Sequence, residues 1–404
     1  MMDVKVVIGA GFGDEGKGLM TDYLSSKAKN GVVVRFNGGA QAGHTVVTPE
    51  GHRHIFSHFG SGTLAGLPTF LTKHFIVNPI LFMKEYKGLV KKGIEPKIII
   101  HPDCIVTTPY DMIINQIVES VRSGKHGSCG MGINETVVRN EEGFSLTYHN
   151  ILYNSDFAIR DFLLNVKKYH VIDRLKDLGV DSIPIDFIDV FSNSGIIDAF
   201  INDIQEMRKI AEGYTTYGAL KDYDEVIFEG AQGLMLDQFN MDYFPHLTRS
   251  STGMKNVMEV LQPLKSLIED VEIVYATRCY MTRHGQGRFD TELTSKPYAG
   301  IVDMTNVPNP WQGSLRYGLV DINTLSRFIK NDLEYVGSKI SYSYSLAVTC
   351  LDQLDDSKYL RYFSSGVETQ THVRNFIDLL SRRVNPSKMY LSYGMTRDTI
   401  KETC

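Results

Sequence analysis

Residues Val4 to Ile8 form an apolar, β-branched run interrupted only by Lys5, and the run stops at a glycine cluster. Leu19, Tyr23 and Leu24 then recur at helical spacing, which predicts a helix over 17–29. A second buried strand is predicted over Val32–Phe36, broken by Gly38-Gly39. Strand, glycine loop, helix and strand in that order make a βαβ unit and imply a parallel sheet. Further buried strands are predicted at Lys97–Ile100, Glu225–Glu229, Val271–Ala276 and Ser345–Leu351. Several end on polar or glycine-rich residues, where ligands bind in open α/β sheets. Residues 151–217 read as a mostly helical insertion or cap, but no shift in composition separates them. The expected fold is therefore one α/β domain over 1–404, with a mostly parallel central sheet flanked by helices, P-loop-like at its start. Asn306–Gly313 holds two prolines and the only tryptophan, and reads as a loop.

Composition narrows the function classes. With 42 Lys+Arg against 47 Asp+Glu the net charge is −5, so no basic excess points to nucleic acid or an anionic membrane. No apolar run reaches the roughly 18 residues of a membrane helix. Cys104, Cys129, Cys279, Cys350 and Cys404 are odd in number and contain no CxxC pair, which argues against a disulfide framework or a zinc site. The start Met1-Met2-Asp3-Val4-Lys5 lacks the apolar stretch of a signal peptide, so a cytoplasmic location is expected. The 35 glycines against 13 prolines bunch into short clusters, a pattern of tight turns and of backbone approaching a ligand.

The first cluster, Gly11-Phe12-Gly13-Asp14-Glu15-Gly16-Lys17-Gly18, fits two phosphate templates. Gly11, Gly13 and Gly16 satisfy the dinucleotide GxGxxG, and Gly11, Gly16 and Lys17 satisfy the P-loop GxxxxGK. In both, glycines admit phosphate oxygens to backbone N–H groups at a helix N-terminus. Lys17 favours the P-loop reading. The dinucleotide reading also wants an acid at the end of the second strand, where this chain has Arg35-Phe36-Asn37. Gly18 stands where a P-loop carries the Ser or Thr that holds magnesium, which leaves Asp14 as the metal-ligand candidate. The second cluster, Gly38-Gly39-Ala40-Gln41-Ala42-Gly43-His44-Thr45, follows the adjacent strand, so the two loops predict one extended site with His44 as a hydrogen-bonding or acid group.

Gly-Asp-Glu-Gly-Lys-Gly at 13–18 together with Gly-Gly-x-x-Ala-Gly-His-Thr at 38–45 resembles the adenylosuccinate synthetase family. The likeness continues in order through Phe228-Glu229-Gly230-Ala231-Gln232-Gly233, Tyr243-Phe244-Pro245 with Thr248, Thr277-Arg278, Arg283-His284-Gly285-Gln286-Gly287, Thr291-Glu292-Leu293, Thr349-Cys350-Leu351-Asp352 and Ser392-Tyr393-Gly394. The resemblance implies a GTP-dependent, magnesium-requiring ligase that joins L-aspartate to C6 of IMP through a 6-phosphoryl intermediate. It implies Asp14, Lys17 and His44 as catalytic residues, with Asp14 and the Gly43 carbonyl on the metal. It places Gly13, Glu15, Gly16, Gly18, Gln41, Thr45, Ser128, Cys129, Gly130, Arg139, Gln232, Thr248, Asp352, Ser392 and Gly394 at the nucleotides. A homodimer is implied, with Arg139 standing for an arginine that reaches a partner subunit's nucleotide.

Three stretches depart from the family pattern. Cys129 and Met131 replace a hydroxyl and an arginine in the motif at Gly127–Glu135, and Gln41 replaces an asparagine. The family's arginine-rich amino-acid and ribose loop aligns with Pro308–Asp321, where Arg316 is the one arginine left and both threonines are gone. Arg316, Gln312 and Ser314 are therefore expected at the amino acid, with Arg283, Arg288 or Arg249 as possible substitutes for the lost arginines. Losing ribose-facing arginines opens a second acceptor, dGMP, which phage relatives of the family use to make a 2-aminoadenine precursor. Many of those relatives lack the loop aspartate that this chain keeps, so IMP ranks first. A non-catalytic nucleotide-binding regulator and a dinucleotide oxidoreductase are weaker readings, since a sensor has no need of Asp14, Lys17 and His44 together, and Lys17 and Arg35 speak against a dinucleotide.

Overall fold

The computed structural model describes residues 1–122, 128–214, 216–303, 305–306 and 313–403. Among them a ten-stranded sheet runs in the order Ile400–Thr403, Lys388–Ser392, Ser343–Thr349, Ile268–Arg278, Met2–Gly9, Glu225–Gly233, Gly31–Arg35, Thr69–Leu71, Ile98–Ile100, Glu212–Gly213. Every pairing is parallel except the first, where Ile400–Thr403 runs antiparallel to Lys388–Ser392. This is the expected α/β architecture. The opening strand sits at its centre because both of its faces are apolar: Val4, Val6 and Ile8 enter one core, and Val7 enters the other.

Local chemistry explains where elements stop. The first helix spans Lys17–Ser25, shorter than the predicted 17–29, because the chain turns at Ser26–Ala28 through bonds such as Ala28 N–H to Ser25 C=O (3.2 Å). The strand predicted to reach Leu351 ends at Thr349, because Cys350 adopts left-handed backbone (φ 62°).

The 151–217 region is helical, with helices Asp156–Asn165, Ile185–Ser192 and Gly195–Ile210 and a π-helical turn at Val166–Val171. It is not a detached cap. Its last residues return to the sheet as the edge strand Glu212–Gly213, paired with Ile99 and Ile100.

Behind the sheet, helix Ile322–Val336 presents the buried Asp332 to two other elements. Its carboxylate accepts the Met254 N–H (2.8 Å), which starts helix Met254–Leu261, and the Tyr275 hydroxyl (2.8 Å) from the Ile268–Arg278 strand. Gly253 makes this contact feasible, since a Cβ there would lie 1.9 Å from Asp332 Oδ1. Burial pushes the Asp332 pKa up to about 7, and its two hydrogen bonds oppose that only in part.

Candidate active site

A cavity of about 520 Å³ opens at the carboxyl ends of the central strands. The loop after Met2–Gly9 delivers Asp14 and Lys17 to it, and the loop after Gly31–Arg35 delivers Gln41, Gly43 and His44. Gln232, Arg278, Asp352 and Ser392 arrive on or just beyond four further strands. The two glycine loops thus form one site.

In the first loop Gly16 holds left-handed backbone (φ 87°) and the helix begins at Lys17. The Glu15 side chain turns under the loop, away from its expected nucleotide role. Its Oε1 accepts the N–H groups of Gly11 (3.1 Å) and Gly13 (2.7 Å), and Oε2 pairs with Lys17 Nζ at 2.6 Å. A carboxylate of the protein itself fills part of the N–H nest that a P-loop offers to phosphate, and Glu15 does not line the cavity. Asp14, at φ 61°, turns its carbonyl back to accept the Arg278 Nε–H, while its carboxylate Oδ2 lies 3.0 Å from His284 Nε2. Burial would raise the Asp14 pKa, but the His284 hydrogen bond and the charges of His284, Arg278 and Lys17 outweigh it and hold the carboxyl well below its usual range. The His284 ring, pushed down by burial, is drawn up further by Asp14.

His44 begins strand His44–Val47, and its Nδ1 lies 2.7 Å from Glu229 Oε1. Glu229 is fully buried, yet it also accepts the Ser61 N–H (3.0 Å) and hydroxyl, with Arg35 Nε 3.8 Å away. Burial favours the neutral acid, but the His44 and Arg35 charges with the His44 and Ser61 hydrogen bonds overcome it and bring the pKa to about 2. Ionised Glu229 can only accept, so the His44 Nδ1 carries the proton and Nε2 is left for the cavity. Burial pushes the His44 pKa down, and Glu229 offsets this in part.

Of the other expected residues, Gly13, Gly16, Gly18, Thr45, Cys129, Asp352, Ser392 and Gly394 line the cavity. Gln41 and Gln232 line it too, and their side chains converge beside Gly38. Both amide atoms of Gln41 and the Gln232 Oε1 are buried without a hydrogen-bond partner. Ser128 bonds Asn115 (2.7 Å) and the Gly130 carbonyl accepts Gln116 (3.1 Å), so both stand behind Cys129 rather than on the lining. Thr248 also lies off the lining.

Three expectations change. Arg139 does not face outward: it is fully buried, bonded to Asp111 (2.8 Å) and to the Val106 and Phe144 carbonyls, with no reach left for a neighbour's nucleotide. Arg316 is held by Glu292 (Nε–Oε1 2.7 Å) and by the Gly285 (3.0 Å) and Gly287 (2.9 Å) carbonyls, and Ser314 is exposed; neither lines the cavity. Gln312 lies outside the described residues. Nor do the substitute arginines reach it. Arg283 binds the Arg288 and His246 carbonyls, Arg288 pairs with Asp290, and Arg249 pairs with Glu141. Sequence reasoning gave no role to Glu229, His284, Arg278, Arg53 or Thr305. Glu229, Arg278 and His284 do fall inside quoted motifs, so their position was a usable signal; Arg53 and Thr305 do not.

Among the described residues no three His, Cys, Asp or Glu side chains cluster as a metal cage. Asp14, an ionised carboxylate, and Gly43 both border the cavity. A carboxylate and a backbone carbonyl on the lining of one cavity with room for phosphates are oxygen donors of the kind that suits magnesium.

The family model described as Adenylosuccinate synthetase matches residues 6–361. The chain is 30% identical to the adenylosuccinate synthetase of Mesoplasma florum over 90% of this chain and 81% of that one, and 27% identical to that of Borrelia duttonii over 93% and 83%. Among solved structures it superposes on the fully ligated adenylosuccinate synthetase of Plasmodium falciparum with TM-score 0.76 at 17% identity, covering 98% of this chain and 99% of that one. It also superposes on the succinoaminodeoxyadenylate synthetase of cyanophage S-2L bound to dGMP and dATP, with TM-score 0.63 at 11% identity over 100% and 96%. At such identities these two matches establish the shared fold.

Proposed function

The chain belongs to the adenylosuccinate synthetase family, GTP-using C–N bond-forming ligases of purine biosynthesis, and we propose that its own site joins L-aspartate to C6 of IMP. The observation that carries this reading is the pairing of two oriented groups at one cavity: Asp14 held by His284 and Arg278, and His44 held by Glu229.

The 6-oxo oxygen of a purine is a poor leaving group, so it is first phosphorylated from GTP. Asp14, kept ionised by its cationic neighbours, accepts the N1 proton as O6 attacks the γ-phosphorus, the bond to the β–γ bridging oxygen breaks, and GDP leaves. His44, fixed through Nδ1, turns Nε2 to the transferring phosphoryl oxygens; it donates to them in its protonated form, both nitrogens then carrying hydrogen, and Glu229 stabilises that positive charge. Lys17 adds positive charge behind the loop. The residues act by positioning and electrostatics, as phosphoryl transfer requires. The neutral amine of aspartate then attacks C6, the C6–O bond breaks, phosphate leaves, and the proton lost from the amine nitrogen passes to the departing phosphate or to water. Asp14 and the Gly43 carbonyl would hold magnesium, which supplies charge neutralisation on the phosphate oxygens.

Gln41 and Gln232, with their unpartnered amide atoms, receive the acceptor nucleotide. Asp352, Ser392 and Gly394 receive the guanine of GTP, where a carboxylate accepts the N1–H and 2-amino donors together. A homodimer and a cytoplasmic site of action complete the reading; Phe157 (78% exposed) and Ile185 (82%) on the helical insertion give a subunit contact apolar surface. A second acceptor, dGMP, draws on one observation: Arg316 is turned away from the cavity, so it makes no demand for a 2′-hydroxyl. The test is phosphate release and product mass with GTP, magnesium and aspartate against IMP, dIMP, GMP and dGMP. Turnover is expected with IMP. Turnover confined to dGMP moves the chain to the second reading, and none with any acceptor overturns both.

A further inference from the structure

The amine of the amino acid must reach C6, between the group that takes the N1 proton and the group at the 6-phosphoryl. The residues next to those two groups meet each other. Thr45 follows His44 directly, and Thr305 precedes Asn306, whose Oδ1 lies 3.1 Å from the His284 Nε2 that holds Asp14. The two threonine hydroxyls are 3.1 Å apart, and Arg53 Nη2 donates to Thr305 Oγ1 at 3.0 Å.

All three residues border the cavity. Arg53 is set there by the hairpin, in which it pairs with Val47, and Lys92 Nζ caps its carbonyl at 2.7 Å. Asp303 keeps its charge but makes no ion pair with Arg53. Its Oδ1 accepts the Thr305 and Asn306 N–H groups (both 2.9 Å), and its Oδ2 accepts the Asn306 amide (2.7 Å).

We propose that Arg53, Thr45 and Thr305 are the carboxylate receptor for the dicarboxylic amino acid, in the place that sequence reasoning gave to Arg316. A guanidinium beside two hydroxyls can hold a carboxylate through a bidentate ion pair and further hydrogen bonds. This assignment rests on the ligase reading above. It is specific about where this chain departs from its family: the arginine and threonine chemistry missing from 308–321 is supplied from the 44–56 hairpin and residue 305.

The test is steady-state kinetics of the full chain with IMP, GTP and magnesium, with aspartate varied. Arg53→Ala is expected to raise the aspartate KM roughly 10- to 100-fold, the scale of losing a hydrogen-bonded charge, with the GTP and IMP KM values within about twofold. Arg53→Lys should recover only part of the loss, since it keeps the charge and gives up the bidentate fork. Arg316→Gln is the control and should leave the aspartate KM within about twofold. An unmoved aspartate KM in Arg53→Ala, or a selective rise in Arg316→Gln, overturns the assignment alone. No aspartate-dependent turnover of the unmodified chain with any of IMP, dIMP, GMP and dGMP overturns the ligase reading together with it.

Discussion

Asp332→Asn isolates the cost of a buried charge. The carboxyl is 7% exposed, and its pKa stands near 7 against 3.8 for a free aspartate. A raised folded pKa means that protonation favours the fold. The stability is whole below about pH 4 and is lost progressively as pH rises to about 7. About three pKa units at ~1.4 kcal/mol each put the full penalty at ~4 kcal/mol above neutrality. Asparagine removes the penalty, still accepts from the Met254 N–H, and must turn its NH2 to the Tyr275 hydroxyl, at an expected loss of ~1–2 kcal/mol. The variant should therefore be more stable than the parent by ~2 kcal/mol at about pH 8.5, and by roughly nothing at about pH 5.5. Paired urea or thermal unfolding curves at the two pH values measure the change. A stability difference that is flat with pH, or that grows toward acid, refutes the reasoning, because only a carboxylate forced to ionise inside the protein yields this slope.

Three further perturbations address the site and its frame. Asp14→Ala should lower turnover by about 10²–10⁴-fold with GTP affinity nearly intact by equilibrium binding; near-normal turnover would remove Asp14 as the base. Glu229→Gln keeps the volume but presents an amide to His44 Nδ1, so kcat should fall ~10- to 100-fold with KM for GTP little changed, and a pure KM effect would count against an orienting role. Arg139→Ala strands the Asp111 charge in the core and should cost ~3–5 kcal/mol in denaturant unfolding, whereas a selective loss of nucleotide binding at full stability would return Arg139 to the site.

What the sequence made legible was local. Asp14, Lys17 and His44 sit inside glycine clusters whose spacing forces the backbone to turn at a strand end, and the structure brings both loops to one cavity. The partners that make these residues usable are remote. Glu229 is 185 residues from His44, and His284 reaches Asp14 across the sheet from another strand connection. No periodicity reports such a contact. Arg316 shows the opposite failure: its place in the aligned loop suggested a ligand, but Glu292 on the neighbouring strand is a closer anion. The family resemblance puts Glu15 at a nucleotide, while the hollow beneath the loop, lined by Gly9, Gly11 and Gly233, takes its carboxylate instead. The helical insertion was legible as helix but not as part of the sheet, since a two-residue strand carries almost no pattern.

Asp14, Gln232 and Cys350 border the cavity and all hold left-handed backbone, with φ of 61°, 58° and 62°. A side chain at such a position costs about 1–2 kcal/mol relative to ordinary backbone, and glycine would relieve much of it. Redesign that scores only melting temperature would therefore be drawn to these three positions. It would return a hardier protein without the side chains proposed as the base (Asp14) and as a contact of the acceptor nucleotide (Gln232), and with one cavity-lining side chain fewer at Cys350. Any engineering of this chain for robustness should freeze them and look for gains elsewhere.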